Sequence, residues 1–385
     1  MTATIGAALD APVIVVGAGA AGLAMADTLA RHGIAYTVLE KEPRLAEPWR
    51  QRHAHLTLNT HRNLSTLPGF KYPAGTVAYP HKDVIVGYLE AFAAERDLTV
   101  EFGTAVTRIE RGADGNWTVH TSAGPRQASN VIIATGRDRI PWLPDWAGKA
   151  TFAGRIIHAA DFGTAAAFAG KSILVIGAGN SGFDVLNHLA RVDTGPMWLA
   201  VRSGPAVLPK RIGNIAVNRF GTVMARLPLW LADAVIGATQ RFAFGDLRRY
   251  GLPRPAQGGA TRLQKNQIAL SVDEGAVAAI KAGRIKLVGA AERFEGTAVV
   301  LADGTRIEPE IVIAATGYRT GLEEMVGALG VLDENGVPKA TGAEPTGQKG
   351  LWFIGMRPSI ISNFHAATQQ AGAIVARIQK DARRS

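Results

Sequence analysis

Short apolar runs rich in β-branched residues recur along this chain. Pro12-Val-Ile-Val-Val-Gly17 is the first, and Lys171-Ser-Ile-Leu-Val-Ile176 repeats it far downstream. Uninterrupted apolar runs of this kind predict strands buried on both faces, as in a parallel sheet. Each is followed by residues at helical spacing, Leu23 to His32 with Gly33 as a stop and about Phe183 to Ala190. A second strand comes next in both places. Tyr36 to Leu39 ends at Glu40, and Met197 to Val201 ends at Arg202. The pattern is strand–helix–strand, twice, and predicts an α/β protein with two Rossmann-like units joined by right-handed crossovers.

A further echo links the two halves. Val131 to Gly136 and Ile311 to Gly317 are both apolar strands that close on Ala-Thr-Gly. The simplest arrangement makes the first unit discontinuous, with residues 1–160 and 311–385 as its two parts and 161–310 inserted as the second unit. Residues 204–265 break the rhythm. Their apolar stretches around Phe220 to Leu231 and Phe242 to Phe244 predict a helical insert with Pro and Gly breaks. Such an insert is a lid, a wall for a substrate, a membrane-surface contact or an ordinary packed subdomain.

The chemistry lies at the strand ends. Gly17-Ala-Gly19-Ala20-Ala21-Gly22 and Gly177-Ala-Gly179-Asn180-Ser181-Gly182 both read G-x-G-x-x-G, between a strand and a helix as the motif's mechanism requires. The first glycine permits the tight turn, the second admits a pyrophosphate to the backbone, and the third lets helix and strand approach. The helix N-terminus then meets the phosphates with unpaired N–H groups. The residue closing the second strand separates the two ligands. Glu40 suits ribose hydroxyls and repels a 2′-phosphate, whereas Arg202, with Ser203 beside it, offers a guanidinium fork to one. The first unit therefore reads as an FAD site and the second as an NADPH site.

Composition narrows the field. With 42 basic and 32 acidic residues the net charge is +10, but the basic residues are scattered and not interleaved with aromatics, so nucleic acid is not the expected partner. Zero cysteines exclude disulfides, thiolate metal sites and a CxxC redox pair, and with it the usual pyridine-nucleotide disulfide reductase. No metal site is expected. No basic leader precedes the first apolar run and no run is long enough to span a membrane, so the cytoplasm is the expected compartment.

Between the two glycine motifs stands Phe152-Ala-Gly154-Arg-Ile-Ile-His158-Ala-Ala-Asp-Phe162. It resembles the F-x-G-x-x-x-H-x-x-x-F fingerprint of the flavin-containing monooxygenases, and all three motifs occur in that family's order. Gly179-Asn-Ser-Gly182, Val207-Leu-Pro-Lys210, Tyr250-Gly-Leu-Pro-Arg-Pro255 and Ala314-Ala-Thr-Gly-Tyr318 look closest to the YUCCA-type branch, the indole-3-pyruvate monooxygenases. The resemblance implies that NADPH reduces FAD, O2 adds at flavin C4a, and the retained NADP⁺ shields the adduct from water. The cofactor carries the organic chemistry and the protein supplies orientation, electrostatics and dryness. The small-molecule substrate would be an aryl 2-oxo acid such as indole-3-pyruvate; N- or S-oxygenation, Baeyer–Villiger oxidation of ketones and a non-catalytic flavin sensor are the alternatives.

The same resemblance nominates site residues. Asn59, in Leu58-Asn-Thr-His-Arg62, matches the amide that the wider family sets beside flavin and nicotinamide, and Arg62 is a candidate to hold a substrate carboxylate. Trp49 is retained where the family's Gly-Gly-x-Trp turn is here Ala46-Glu-Pro-Trp49. Lys41, Val106, Ala134, Thr135, Gly136 and Gly355 are expected along the FAD, with His365 opening the last helix against it. His158, Thr316, Gly317 and Tyr318 are expected near the coenzyme. A homodimer is left open.

Overall fold

A computed structural model describes residues 12–384, so the first eleven residues of the expected first unit and Ser385 lie outside the described residues. Two five-stranded parallel sheets organise the chain. The first runs in the order Leu351–Phe353, Asn130–Ile133, Val13–Val16, Tyr36–Leu39, Val100–Glu101. The second runs Arg155–His158, Ile311–Ala314, Ile173–Ile176, Met197–Ala200, Ile285–Val288. Both centre on an apolar strand, Val13–Val16, buried throughout, and Ile173–Ile176, buried but for Ile176, flanked by strands that come later in the chain, as their unbroken apolar runs require.

The two units are copies in detail. After its third strand each chain segment makes an antiparallel three-stranded meander, Val106–Arg111, Trp117–Thr121 and Gly124–Ala128 in the first, and Ala291–Glu295, Ala298–Leu301 and Arg306–Ile307 in the second. The strand ending in Ala-Thr-Gly comes directly after the meander in both. Ile311–Ala314 is thus the counterpart of Asn130–Ile133 and pairs with Ile173–Ile176. This corrects the expected boundaries: Ile311–Ala314 and Arg155–His158 belong to the second sheet, not to the two parts of the first unit. The physical reason is a contact at the glycine loop. A Cβ on Gly177 would come within 2.6 Å of Ala315 O, so the second glycine loop closes on its own Ala-Thr-Gly strand, just as Gly17 closes on Ala134 O at 2.9 Å.

Helix Ala20–Arg31 packs Met25 and Leu29 onto the first sheet together with Ile374 and Val375 of the terminal helix Asn363–Ala382. Helix Asn180–Leu189 does the same for the second sheet through Phe183, Leu186 and Leu189. The insert forms the helix Leu229–Phe244, started by Pro228, with short helical turns before it. It buries Ala232 and Ile236 and leaves Trp230 and Phe242 exposed. Among the described residues no helix is long and apolar enough to cross a membrane.

The third glycine of each motif leaves no room for a side chain. Its Cβ would stand 1.9 Å from Gly17 O at Gly22 and 2.0 Å from Gly177 O at Gly182. Gly182→Ala should therefore push the helix off its strand and cost about 1–3 kcal/mol, as overpacking does. Gly179→Ala, with nothing within 4 Å of the new methyl, should leave the melting temperature within a degree or two. Equal melting temperatures for both variants would contradict this packing.

Candidate functional site

The turn into each helix is made by a glycine in the left-handed region, Gly17 at φ +103° and Gly177 at φ +108°, which a side chain would strain. Two residues on, the backbone is extended and the space above it empty. Neither Gly19 nor Gly179 has an atom within 4 Å of an added Cβ. The third glycine closes the helix down and the second leaves room above it, as a dinucleotide phosphate site requires.

A cavity of about 890 Å³ opens from the first loop, at the upper end of small-molecule sites. Its wall begins with Gly17, Gly19, Ala20 and Ala21, and continues along Glu40, Lys41, Trp49 and Val106. Ala134, Thr135, Gly136 and Gly355 complete the first unit's side. The Glu40 carboxylate accepts from the backbone N–H of Ala18 at 2.7 Å and of Glu42 at 3.0 Å, which fixes it at the strand end. Thr135 Oγ1 is buried with no partner in the protein, so its hydroxyl remains available to a ligand in the cavity beside it. Open space over Gly19, an immobilised carboxylate and an unmet hydroxyl together fit a dinucleotide such as FAD.

The cavity runs on into the second unit, where Asn180, Ser181, Asp184 and Tyr318 line it. Asn59 Nδ2 donates to Asn180 Oδ1 at 3.1 Å, so the expected catalytic amide meets the second glycine motif. Asn180, Asp184 and His188 repeat at four-residue spacing and form one stripe of their helix. His53 Nε2 pairs with Asp184 Oδ2 at 2.7 Å, and the His55 ring lies 5.0 Å from that of His188. Burial pushes the Asp184 carboxyl up, but the contacts from His188 and His53 outweigh it and hold the group well below the usual carboxylate range. Nothing in the reading of the sequence singled out His53, Asp184 or His188, although the spacing 180, 184, 188 was there to find.

Other expected residues stand off the wall. Gly22, Gly177, Gly179 and Gly182 shape their loops from outside the cavity. Arg202 and Ser203 are exposed beyond the strand Met197–Ala200, on the open side of the second loop. His158 spends both ring nitrogens on the protein: Nδ1 accepts from Ala160 N at 3.0 Å and Nε2 meets Gly317 O at 2.9 Å. Burial holds its pKa below the usual range, against the Gly317 bond, and the neutral ring braces the Gly317–Tyr318 turn. Thr316 Oγ1 donates to Trp142 O, and Gly317 lies off the wall beside it. His365 sits in the first turn of the last helix but off the wall, where Asn363 and Phe364 stand instead. Arg62 opens a short 3-10 turn and does not reach the cavity. The insert does: Val217, Phe220, Met224, Val235 and Ile236 form an apolar end, next to Leu208 and Lys210.

Comparison with known proteins places this geometry. The family described as pyridine nucleotide-disulphide oxidoreductase matches residues 14–200, a likeness of fold in a chain with no cysteine. A probable indole-3-pyruvate monooxygenase, YUCCA3 of Arabidopsis thaliana, is 33% identical over 362 residues, covering 90% of this chain and 82% of the relative. Indole-3-pyruvate monooxygenase YUCCA1 of Oryza sativa subsp. japonica is 33% identical over 350 residues, covering 89% and 86%. The flavin-containing monooxygenase from Stenotrophomonas maltophilia superposes with a TM-score of 0.72 at 23% identity over 96% of this chain and 99% of that one. OTEMO in complex with FAD and NADP gives 0.73 at 16% identity, covering 97% and 84%.

The empty space above Gly19 yields a test of the first loop. A Cβ at Gly19 meets no atom of the protein within 4 Å, so the purified Gly19→Val variant should fold and melt nearly as the wild type without ligand does, yet lose the bound dinucleotide. Retention of a full complement, measured by absorbance after desalting, would remove the first loop from the binding site.

Proposed function

The chain belongs to the flavin-dependent monooxygenases, with the indole-3-pyruvate monooxygenases among its relatives, and we propose that its reaction is the oxidative decarboxylation of an aryl 2-oxo acid. It is an FAD- and NADPH-dependent enzyme. The balance is 2-oxo acid, O2, NADPH and a proton giving the acid one carbon shorter, CO2, water and NADP⁺. One observation carries the reading: a probable indole-3-pyruvate monooxygenase is 33% identical over 362 residues that cover 90% of the chain.

Bound FAD and NADPH supply the electrons and the centre at which O2 is activated. The residues of the chain bind, orient and keep water out. Gly17 to Ala21 with Glu40 hold the pyrophosphate and ribose of the flavin nucleotide. Asn180 and Ser181, at the N-terminus of the second helix, receive the coenzyme, and Arg202 with Ser203 reads its 2′-phosphate. Asn59, tied to Asn180, stands where the two units meet and offers an amide to whatever lies between them. The apolar end built by Met224, Val235 and Ile236 takes the aryl group and excludes water from it.

Mass analysis of products from aryl pyruvates, amines and sulfides, with NADPH consumption, tests the substrate class. The expected product is the aryl acetate with one equivalent of CO2; N- or S-oxides with no turnover of aryl pyruvates would overturn the proposal. Asn59→Ala should leave flavin content intact and raise the hydrogen peroxide released per NADPH consumed, since losing one donor where charge develops costs ~2.7–4 kcal/mol. An unchanged ratio would return Asn59 to an ordinary loop residue. Arg202→Ala should abolish a roughly tenfold to hundredfold preference for NADPH over NADH, the equivalent of a charge-assisted hydrogen bond of about 1.5–3 kcal/mol. Equal use of both coenzymes by the wild type would refute that role.

A further inference from the structure

An anionic substrate entering an apolar cavity loses its hydration, and a buried carboxylate is tolerated only with a cation and hydrogen bonds to replace it. Arg62 does not reach the cavity. We propose that Lys210 holds the substrate carboxylate, an inference that rests on the oxo-acid reading above.

Lys210 is 5% exposed and lies on the cavity wall between the apolar end and the joint of the two units. None of the other cations on that wall, Lys41, Arg44, Arg52, Arg137 and Arg139, is buried. Its ammonium has three donors. One goes to Thr57 Oγ1 at 2.9 Å and one to Glu274 Oε2 at 2.7 Å. The ammonium sits 4.7 Å from the Tyr79 ring centroid, and the Arg211 guanidinium approaches the same ring at 5.1 Å. Around it Arg191, Lys210 and Arg211 outnumber Asp273 and Glu274 by one charge. The backbone is held too: Tyr79 OH donates to Lys210 O at 2.6 Å, and burial pushes that phenol up to about 12, so it stays a neutral donor.

Thr57 ties the ammonium to the reacting end. It is paired with His81 in an isolated bridge and stands two residues before Asn59. Thr57 and Asn59 both line the cavity. A carboxylate on Lys210 directs the adjoining oxo carbon towards Asn59, while the aryl group extends into the insert. Specificity for a carboxylate-bearing substrate then comes from one lysine that an amine or sulfide would leave unused.

The test measures binding to the FAD-loaded enzyme by perturbation of flavin absorbance, with indole-3-acetate and its methyl ester as a charged and a neutral probe. Wild type should prefer the acid, Lys210→Met should weaken the acid about tenfold to hundredfold while shifting the ester less than about twofold, and Lys210→Arg should restore most of the acid preference. Glu274→Gln removes the internal competitor and should tighten the acid severalfold, a gain that damage to the fold cannot mimic. Equal losses for acid and ester in Lys210→Met, no acid preference in the wild type, or no gain in Glu274→Gln would each overturn the assignment. Should the acid preference follow Lys210 while no aryl 2-oxo acid is turned over, the carboxylate site stands and the proposed reaction falls.

Discussion

The whole arrangement depends on how closely a helix can approach the strand before it. In both units the carbonyl oxygen of the first glycine occupies the place a Cβ of the third glycine would need, at 1.9 and 2.0 Å. With that Cβ absent, the helix drops onto its strand, and its first turn points free N–H groups into the space above the second glycine. The first glycine in turn has no side chain to strike the Ala-Thr-Gly strand, which can therefore lie alongside. Three backbone segments meet at one point, and each sheet gains its nucleotide site and its strand order from that meeting.

The joint between the units is of another kind. Apart from Ile360, which packs against the insert, the buried apolar clusters stay within one unit, around Phe183 and Leu186 in the second and around Met25 and Leu29 or Leu89 and Phe92 in the first. Across the gap the contacts are polar: Asn59 with Asn180, His53 with Asp184, the His55 ring beside His188, and Lys210 with Thr57. A polar, hydrogen-bonded interface constrains direction more than it adds stability, and units joined this way retain relative motion more readily than units sharing a core. Asp184 is the exception that fixes register. Its carboxylate has only the two histidines as ion-pair partners among the described residues, so it cannot leave them cheaply.

How much of this was legible follows from the range over which each signal acts. The strands at Val13–Val16, Tyr36–Leu39 and Ile173–Ile176, with the helices after the glycine motifs, are set by neighbours in the chain, and a reading of periodicity found them. The repeat was visible in Ala134-Thr-Gly136 and Ala315-Thr-Gly317, but its meaning was not. Membership of a sheet is decided by which glycine loop a strand packs against, and that contact is not local. The meanders escaped notice because Gly124–Ala128 and Arg306–Ile307 are short and polar. Among site residues, the contiguous motifs brought Gly17, Glu40 and Asn180 to the cavity, while Gly22, Gly177, Gly179 and Gly182 shape their loops from outside it. Single residues chosen for their chemistry did so unevenly: Asn59 reached it, whereas Arg62, His158 and His365 did not. An Arg or His looks the same in a sequence whether its side chain faces a ligand or its own backbone.

In an enzyme whose cofactors perform the bond changes, the protein must bring two dinucleotides together, keep water away and orient a third molecule between them. Each task has its own part of the chain. In the proposed function the glycine loops hold the dinucleotides on rigid sheets. The polar stripe Asn180, Asp184 and His188 sets the distance between those sheets. The insert, attached to the second unit, supplies the apolar end. Because the insert and the stripe ride on one sheet while Asn59 and the first loop ride on the other, the substrate's surroundings are complete only when the units are in register. Dryness and orientation are then linked, since Asn59 and Asn180, which bond across the joint, both line the cavity.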